Sequence, residues 1–499
     1  MNSILNRGFV APFIKFFFAS GMIDTVPPRY FASFKQNRTV TSACSFTLTL
    51  TYVPGNFEED TASVIHNMLL SSVNKPVQYQ YGYKTANGGI TLQNKAYTGM
   101  FTEYKEEIND GYLTYTISGV AQAVDMTTPQ VSVANFMKVK QKYTRIQPSS
   151  LVEELVTGWS GIAQETGICT FFYKYEKVIK KEDEEIDPDI IKIEDGPLHD
   201  IFFGKINSDG SSYPNGFVNY SYKQLDQEEA LASGLITQQM IDKADRYRKA
   251  NAGSSSSMSE EVHKAGQAAV NALNLILKMP FVCFYDNAVD AIGSTDRGTF
   301  YYVPKYTQQV SNIFNYNFGN NFIDSDVLNF NATYSGAVGM AVVGSLQNTT
   351  SDIDVDGESI TSNYNAMYSD GFVQQTYSTA SGFDESAFLS MTTIANALIF
   401  PFTATMTVIG QVDCNTLMDR IRVNVFVNGV EHIVLSGDYV ITEIEDELSE
   451  SGFTTTFSLV RAVANEAAEA TAEYKNSYGD KTKAWQNQQA LAKELYNNK

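Results

Sequence analysis

The chain has 499 residues, of which 43% are hydrophobic and 18% charged, so two to four domains are expected rather than one core. Its net charge of −20 at pH 7 argues against a nucleic-acid-binding module or an anionic membrane as partner, although many soluble proteins are equally acidic. The four cysteines are widely spaced and form no CxxC pair, which argues against a dense disulfide framework or a cysteine metal cluster.

Residues 1–145 are predicted to form a first β domain. The apolar run FIKFFFAS contains Lys15 and is shorter than the roughly 20 residues that span a bilayer, so it is predicted as a buried strand rather than a signal peptide. In SACSFTLTLTYV (42–53), apolar and hydroxyl side chains alternate, which is the pattern of a half-buried strand. A short helix is expected in TASVIHNMLL, and the turn at 109–111 between two alternating runs predicts a hairpin.

Residues 146–280 change in composition and are predicted to form a mixed α/β middle domain. The segment KVIKKEDEEIDPDIIKIEDG and the serine-rich segment at 251–261 are expected to be flexible, solvated loops. Residues 224–278 are otherwise helix-prone, which is consistent with a middle domain that mixes helices and strands.

Residues 281–465 return to alternating patterns and are predicted to form a second β domain, followed by a polar helical extension at 466–499. The stretch DYVITEIEDELSESGFTTTFSLVRA predicts a long hairpin whose arms are joined by a charged turn that contains a glycine. The residues of its second arm that share one face, most of them suited to the interior, are Phe453, Thr455, Phe457, Leu459 and Arg461.

Motifs for catalysis or cofactor binding are weak. DIDVDG places Asp352, Asp354 and Asp356 as in the start of a calcium loop, but Asn363 stands where a bidentate glutamate is required. A solvated acidic loop is therefore favoured over a calcium site. The four histidines are isolated, and the sequence has no nucleotide-binding or nucleophile motif, so no catalytic residue, metal or cofactor is predicted.

The strands of the long hairpin resemble those of the baseplate-hub and late-control family of contractile phage tails, which is shared with type VI secretion and related injection machines. The family's strands of the types Y-x-I/V-x-x-I-x-H/D and G-[FY]-x-T-x-[FL]-x-L-x-R are both matched. The matching residues are Tyr439, Ile441, Ile444, Gly452, Phe453, Thr455, Phe457, Leu459 and Arg461. The N-terminal half is similar too, through a YGY strand at 81–83 and the hairpin after it. The loop at 412–419 departs from the family because it lacks Pro-Gly.

The resemblance implies an α+β, mainly β fold with two tube-protein-like antiparallel β-barrels, a mixed helical middle region and a C-terminal helix. It implies a structural protein without enzymatic activity, assembled in the host cytoplasm into the virion tail as a homotrimeric baseplate hub. The tail tube protein would lie above this ring, the spike protein below it, and other baseplate proteins around it. DNA would only pass through the lumen, where an acidic wall would be suitable, and no membrane would be bound.

Two other functions stay open from the sequence. A hub could carry a peptidoglycan-hydrolase activity in its middle region, which would need a carboxylate or Cys/His site within residues 146–330. Stacked β domains are also typical of adhesins, but a multi-domain β adhesin would have to be secreted, and the N-terminus argues against that.

Overall fold

In a computed structural model, the protein folds mainly into β-strands. The structure describes residues 9–18, 21–23, 30–40, 44–53, 59–121, 144–150, 153–154, 172–176, 185, 222–232, 236, 238–252, 277–294, 296–304, 309–318, 325, 327–334, 354–355, 358–359, 402–410, 415–432, 435–449 and 452–461. Within these residues, no helix is both long and apolar enough to cross a membrane.

The helices with described bounds are α1 (Glu59–Ser71), α2 (Gln227–Ala232) and α3 (Gln238–Ala252). The strands are β1 (Phe9–Phe18), β2 (Gly21–Ile23), β3 (Phe31–Thr39), β4 (Ser45–Tyr52), β5 (Lys75–Thr85), β6 (Ile90–Leu92), β7 (Ala96–Asn109), β8 (Tyr112–Val120), β9 (Phe172–Glu176), β10 (Tyr222–Gln224), β11 (Lys278–Asp286), β12 (Ala288–Val289), β13 (Asp296–Pro304), β14 (Val310–Phe318), β15 (Val327–Tyr334), β16 (Asp354–Val355), β17 (Glu358–Ser359), β18 (Phe402–Ile409), β19 (Arg420–Val427), β20 (Val430–Glu431), β21 (Gly437–Ser449) and β22 (Gly452–Arg461).

Sixteen of the described strands belong to one sheet, which confirms the predicted mainly β, antiparallel architecture. Its main path has the order β15-β18-β22-β21-β3-β4-β8-β7-β5-β1-β2, and β19 extends it from β21. Pairs within this sheet are antiparallel, except that β14 and β19 run parallel. A smaller sheet has the order β10-β11-β13-β9.

The N-terminal strand group, defined as β1, β3, β4, β5, β7 and β8, surrounds an aromatic core. Phe16, Phe34, Phe46 and Tyr79 are buried there, with ring centroids 4.7–6.3 Å apart. Such spacing is favourable for tilted and edge-to-face aromatic pairs, and burial of each ring contributes roughly 1.5–3 kcal/mol. The alternating strand at 42–53, the first strand and the helix α1 are confirmed as predicted.

The predicted N-terminal hairpin is also confirmed, with β7 and β8 joined at a tight turn. Asn109 pairs with Tyr112, and Gly111 has a φ of 90°, a conformation that glycine adopts without a steric penalty. Ile108, next to this turn, is 85% exposed.

The C-terminal strand group, defined as β14, β15, β18 and β19, encloses a second core that contains Met406, Val408, Ile421 and Val423. Val310 of β14 lies beside Arg420 of β19, which the chain reaches only after a long connection. Parallel pairing requires such a connection, since adjacent parallel strands cannot be joined by a tight turn.

The hairpin β21–β22 is common to both groups, and we call it the shared hairpin. The first residues of β21, Gly437 to Val440, pair with β19, whereas Glu443 to Ser449 pair with β3. Leu448 accordingly lies in the N-terminal core and Ile441 in the C-terminal core. One continuous hairpin thus fixes the two cores relative to each other.

The middle of the chain contributes α2, α3, β9 and β10, and the smaller sheet pairs these two strands with β11 and β13, which lie mostly in the predicted second β domain. Strand β12 returns to the large sheet and pairs with β7. The C-terminal extension at 466–499 and nearly all of the predicted acidic and serine-rich loops lie outside the described residues. The limits of the four predicted domains stay predictions.

Candidate functional site at the shared hairpin

The residues that match the hub-family strands lie along the shared hairpin. Burial alternates strictly on β22, where Phe453, Thr455, Phe457, Leu459 and Arg461 point inward. Tyr439, Ile441 and Ile444 of β21 are buried as well, and Gly452 stands at the turn with a φ of 144°. The structure therefore brings the motif residues into one buried row. Their role in function stays a prediction.

Arg461 ends this row as a buried cation, and the whole residue is only 1% exposed. Its guanidinium stacks 5.0 Å above the ring of Tyr439 and donates to the Tyr439 hydroxyl at 3.0 Å and to the Ser436 carbonyl at 2.6 Å. A Cβ on Gly437, which has a φ of 147°, would lie 2.3 Å from Arg461 Nη2. Glycine is therefore required where β21 begins.

A buried ion pair connects β19 to the same end of β21. The Asp438 carboxylate accepts two hydrogen bonds from Arg420, from Nε at 3.0 Å and from Nη2 at 2.5 Å. It accepts a third from Arg422 Nη1 at 3.3 Å. Both partners of the Arg420 pair are about nine-tenths buried, so removal of the Asp438 charge would leave Arg420 buried without its counter-ion.

A second buried polar cluster connects the shared hairpin to the N-terminal strand group. Asp446 of β21 accepts hydrogen bonds from Tyr81 of β5 and, at 2.6 Å, from Thr455 of β22. Burial is the main cause that raises the pKa of the Asp446 carboxyl and of the Tyr81 phenol. The bond between Tyr81 and Asp446 thus holds β5 against the hairpin.

Arg38 of β3 lies next to this cluster. Its Nη1 is 3.5 Å from Asp286 Oδ2, and both side chains are 6% exposed. The guanidinium also lies 5.2 Å from the ring centroid of Tyr97, and the largest cause that raises the pKa of Tyr97 to about 12 is burial. Asp286 ends β11, so this ion pair joins the smaller sheet to the large one.

The other face of the large sheet is rich in hydroxyl side chains. We call it the hydroxyl face, and it spans the eight consecutive strands from β15 to β7. Directly paired residues of adjacent strands lie on the same side of a sheet, so the strand registers identify which residues belong to the hydroxyl face. They include Thr405, Thr407, Thr454, Thr456, Ser458, Thr39, Thr47, Thr49, Thr114, Thr116 and Ser118.

The charged residues on the hydroxyl face lie on β21, β3 and β7. They are Glu443, Glu445, Glu447, Lys35, Glu103, Lys105 and Glu107, five acids against two bases. Lys35 lies 2.8 Å from Glu445, and Glu443 accepts from Asn37 at 2.6 Å and from Ser458 at 2.9 Å. The face is thus neutral over most of its width, with a moderate acidic excess.

The weak calcium-loop prediction falls largely outside the described residues. Asp352 and Asp356 are not described, and Asp354 is described only as part of the two-residue strand β16. Over the described ranges, no group of three or more His, Cys, Asp or Glu could hold a metal. His66 lies between the Tyr104 hydroxyl at 2.7 Å and Glu106 at 2.9 Å, half-exposed on the surface of α1.

No protein-family model and no curated protein match this sequence. Among solved structures, the chain is similar to a tail protein from Neisseria meningitidis, with 10% identity and a TM-score of 0.44 over 92% of this chain and 99% of that one. It is similar to a 43 kDa tail protein of prophage MuSo2 from Shewanella oneidensis, with 10% identity and a TM-score of 0.44 over 91% and 99% of the two chains. A type VI secretion component of E. coli is similar at 8% identity, with a TM-score of 0.35 over 86% and 73%.

The sequence pattern predicts the hairpin but not the polar clusters that anchor it. Tyr81 and Asp446 are 365 positions apart, and no local pattern links them. Arg38 could have been found from its position on β3. It is a charged residue at an inward position of a strand whose other inward positions include Phe34. A charge at a core position indicates a buried partner, although it does not say which residue that partner is.

Proposed function

We propose that this protein is a structural hub of a phage tail or a related injection device. Three copies would form a ring that adapts a hexameric tail tube to a trimeric spike, and DNA would pass through the lumen of that ring. The observation that carries the proposal is the hydroxyl face, one continuous surface eight strands wide with both cores on its opposite side.

The width of the hydroxyl face suits a channel made of three copies. Eight strands spaced ~4.8 Å apart give an arc of ~38 Å, and three such arcs give a circumference of ~115 Å. The ring would then be ~37 Å across between backbones when strands run close to its axis, and strand tilt would widen it. Packed sheets lie ~10 Å apart, so the side chains of one wall occupy about half of that distance. Subtracting the side chains of two opposite walls from the backbone diameter leaves an opening of roughly 27 Å. That opening admits a DNA duplex.

The chemistry of the hydroxyl face also suits a wall along which DNA moves. Phosphate groups bind proteins mainly through Lys and Arg, and the two lysines on this face are outnumbered by five glutamates. Threonine and serine hydroxyls carry no charge, so they offer little that would hold a polyanion. An acidic, hydroxyl-lined wall would therefore let DNA pass without retaining it.

The shared hairpin supports the role as an adaptor. A ring of three copies, each with two strand groups, would present six strand groups to a hexameric tube and threefold symmetry to a spike. That arrangement requires the two groups in each copy to keep a fixed relation. Strand β21 pairs with both β19 and β3, which supplies such a fixed relation. In this proposal the protein's role is structural and not catalytic.

Electron microscopy of the assembled particle tests the proposal. We expect three copies of this chain at one end of the tube, with Glu445 and Thr456 facing the lumen. Labelling a Thr456→Cys variant with a heavy-atom cluster would locate this face, and Ile108→Cys at the exposed hairpin tip is the matched control. A stoichiometry other than three, or a Thr456→Cys label on the outer surface of the particle, would contradict the proposal.

A further inference from the structure

A cavity of about 220 Å³ lies where the shared hairpin meets β3, β12 and β13. Arg38, Asp286 and Asp446 contribute polar groups to its wall, and Tyr97, Tyr301 and Phe457 contribute aromatic rings. The exposed residues Asn94, Lys95 and Thr416 form its mouth. A dry engineered cavity of about 150 Å³ admits benzene, so this space has room for a six-membered ring with substituents.

The Arg38 guanidinium is the polar group of the wall for which a hydrogen-bonding ligand would be most favourable. Its side chain is 6% exposed, yet its closest described polar partner is Asp286 at 3.5 Å, which is longer than a charge-assisted hydrogen bond. The Nε atom is buried without a hydrogen-bond partner. A guanidinium has five N–H donors, and leaving them unbonded in the interior is costly. The guanidinium therefore offers donors to whatever occupies the cavity.

The charges in the wall favour a neutral occupant. Arg38 and Lys95 are balanced by Asp286 and Asp446, so an added anion would meet two carboxyl groups and an added cation would meet the guanidinium. In a poorly hydrated site, either ion would have to give up its hydration without a net gain in attraction. A neutral molecule that both donates and accepts hydrogen bonds would meet both Arg38 and Asp286.

We propose that this cavity binds a neutral polyhydroxylated molecule of monosaccharide size. Each hydroxyl group donates one hydrogen bond and accepts two, which matches a wall that holds both a guanidinium and a carboxylate. The aromatic rings of Tyr97, Tyr301 and Phe457 add apolar lining for the C–H groups of such a molecule. Pockets of this composition, mostly apolar with a few convergent polar groups, are typical of small-molecule sites. The site is independent of the proposed structural role.

Isothermal titration of the full chain with glucose, benzoate and benzamidine tests this inference. We expect saturable binding of glucose and none of the anion or the cation. An Asn415→Leu variant, which removes an amide from the wall, is expected to bind glucose at least about tenfold more weakly. Asn331→Leu makes the same change at an exposed position of β15 and should leave the affinity unchanged.

Several outcomes would overturn the inference. The absence of saturable glucose binding by the wild-type chain would mean that the cavity holds water only. Stronger binding of benzoate than of glucose would show that the wall selects an anion. If Asn415→Leu fails to fold, as judged by its thermal melt, Arg38→Lys provides the second variant. It keeps the charge while removing the planar donor fork, so glucose affinity unchanged in Arg38→Lys would also overturn the inference.

Discussion

Gly437 and Arg461 are in such close contact that an alanine at position 437 should destabilise the fold strongly. The alanine would need a φ of 147°, a strained region for any residue with a Cβ, at a cost of about 1–3 kcal/mol. Its Cβ would also lie 2.3 Å from Arg461 Nη2, so the guanidinium would have to move. Movement would weaken its hydrogen bond to Ser436, worth about 1.5–3 kcal/mol for a charged donor.

Together these effects predict that Gly437→Ala lowers the free energy of unfolding by about 2.5–6 kcal/mol. Equilibrium urea unfolding, followed by far-ultraviolet circular dichroism, measures the change. Gly111→Ala is the matched control, because Gly111 also has a positive φ but no atom lies within 4 Å of its added Cβ. The control should lose only about 1–2 kcal/mol, the conformational cost alone.

A double-mutant cycle with Arg461→Met isolates the contact between the two residues. With methionine at 461, the clash with the guanidinium is gone, so Gly437→Ala should cost only its backbone strain. The expected coupling is about 1.5–3 kcal/mol. A cost of Gly437→Ala no larger than that of Gly111→Ala, or one that is the same with arginine and with methionine at position 461, would contradict a clash between the two residues.

Three further changes test the anchoring of the shared hairpin, each by urea unfolding. Asp438→Asn should lower the free energy of unfolding by about 3–5 kcal/mol, because it leaves the buried Arg420 without its counter-ion. The control Glu445→Gln changes a half-exposed ion pair and should lower it by under about 1 kcal/mol. Equal losses in the two variants would contradict this. Phe453→Ala should cost about 3–5 kcal/mol through a cavity in the N-terminal core, and a loss below about 1 kcal/mol would show that the site collapses. Burial raises the pKa of Asp446 in the folded state above its ordinary value of 3.8, so the contribution of Asp446 to stability falls as pH rises from that value through the raised one. The stability lost in Asp446→Asn should therefore be smaller at pH 7 than at pH 4, and a pH-independent loss would refute this.

The elements that sequence patterns predicted are those in which a local period carries the information. On β22, inward and outward residues alternate from Phe453 to Arg461, and the structure buries the inward set as the period of two requires. The turn at Gly111 was likewise predictable, since Asp-Gly between alternating runs favours a hairpin. Both signals lie within about a dozen residues of sequence.

The contacts that the sequence did not reveal join strands far apart in the chain. Nothing near Tyr81 indicates that its hydroxyl donates to Asp446, and nothing in β14 indicates a parallel partner in β19. The sharing of β21 by two strand groups was also unpredictable, because it depends on which strands β21 meets at each end. Alternation predicts which face of a strand is buried but not which core it enters.

Threonine on the hydroxyl face meets two physical requirements at once. As a β-branched residue it favours strands, so Thr407 on β18 and Thr456 on β22 stabilise the strands on which they lie, and their hydroxyls are 3.1 Å apart across the pair. The same hydroxyls keep a surface eight strands wide from being apolar, and such a surface would otherwise aggregate. Lysine would also solubilise this face, but it would bind phosphate. In the proposed role as the wall of a DNA channel, the hydroxyl face is therefore better made of threonine than of lysine, because threonine stabilises the strands without binding phosphate.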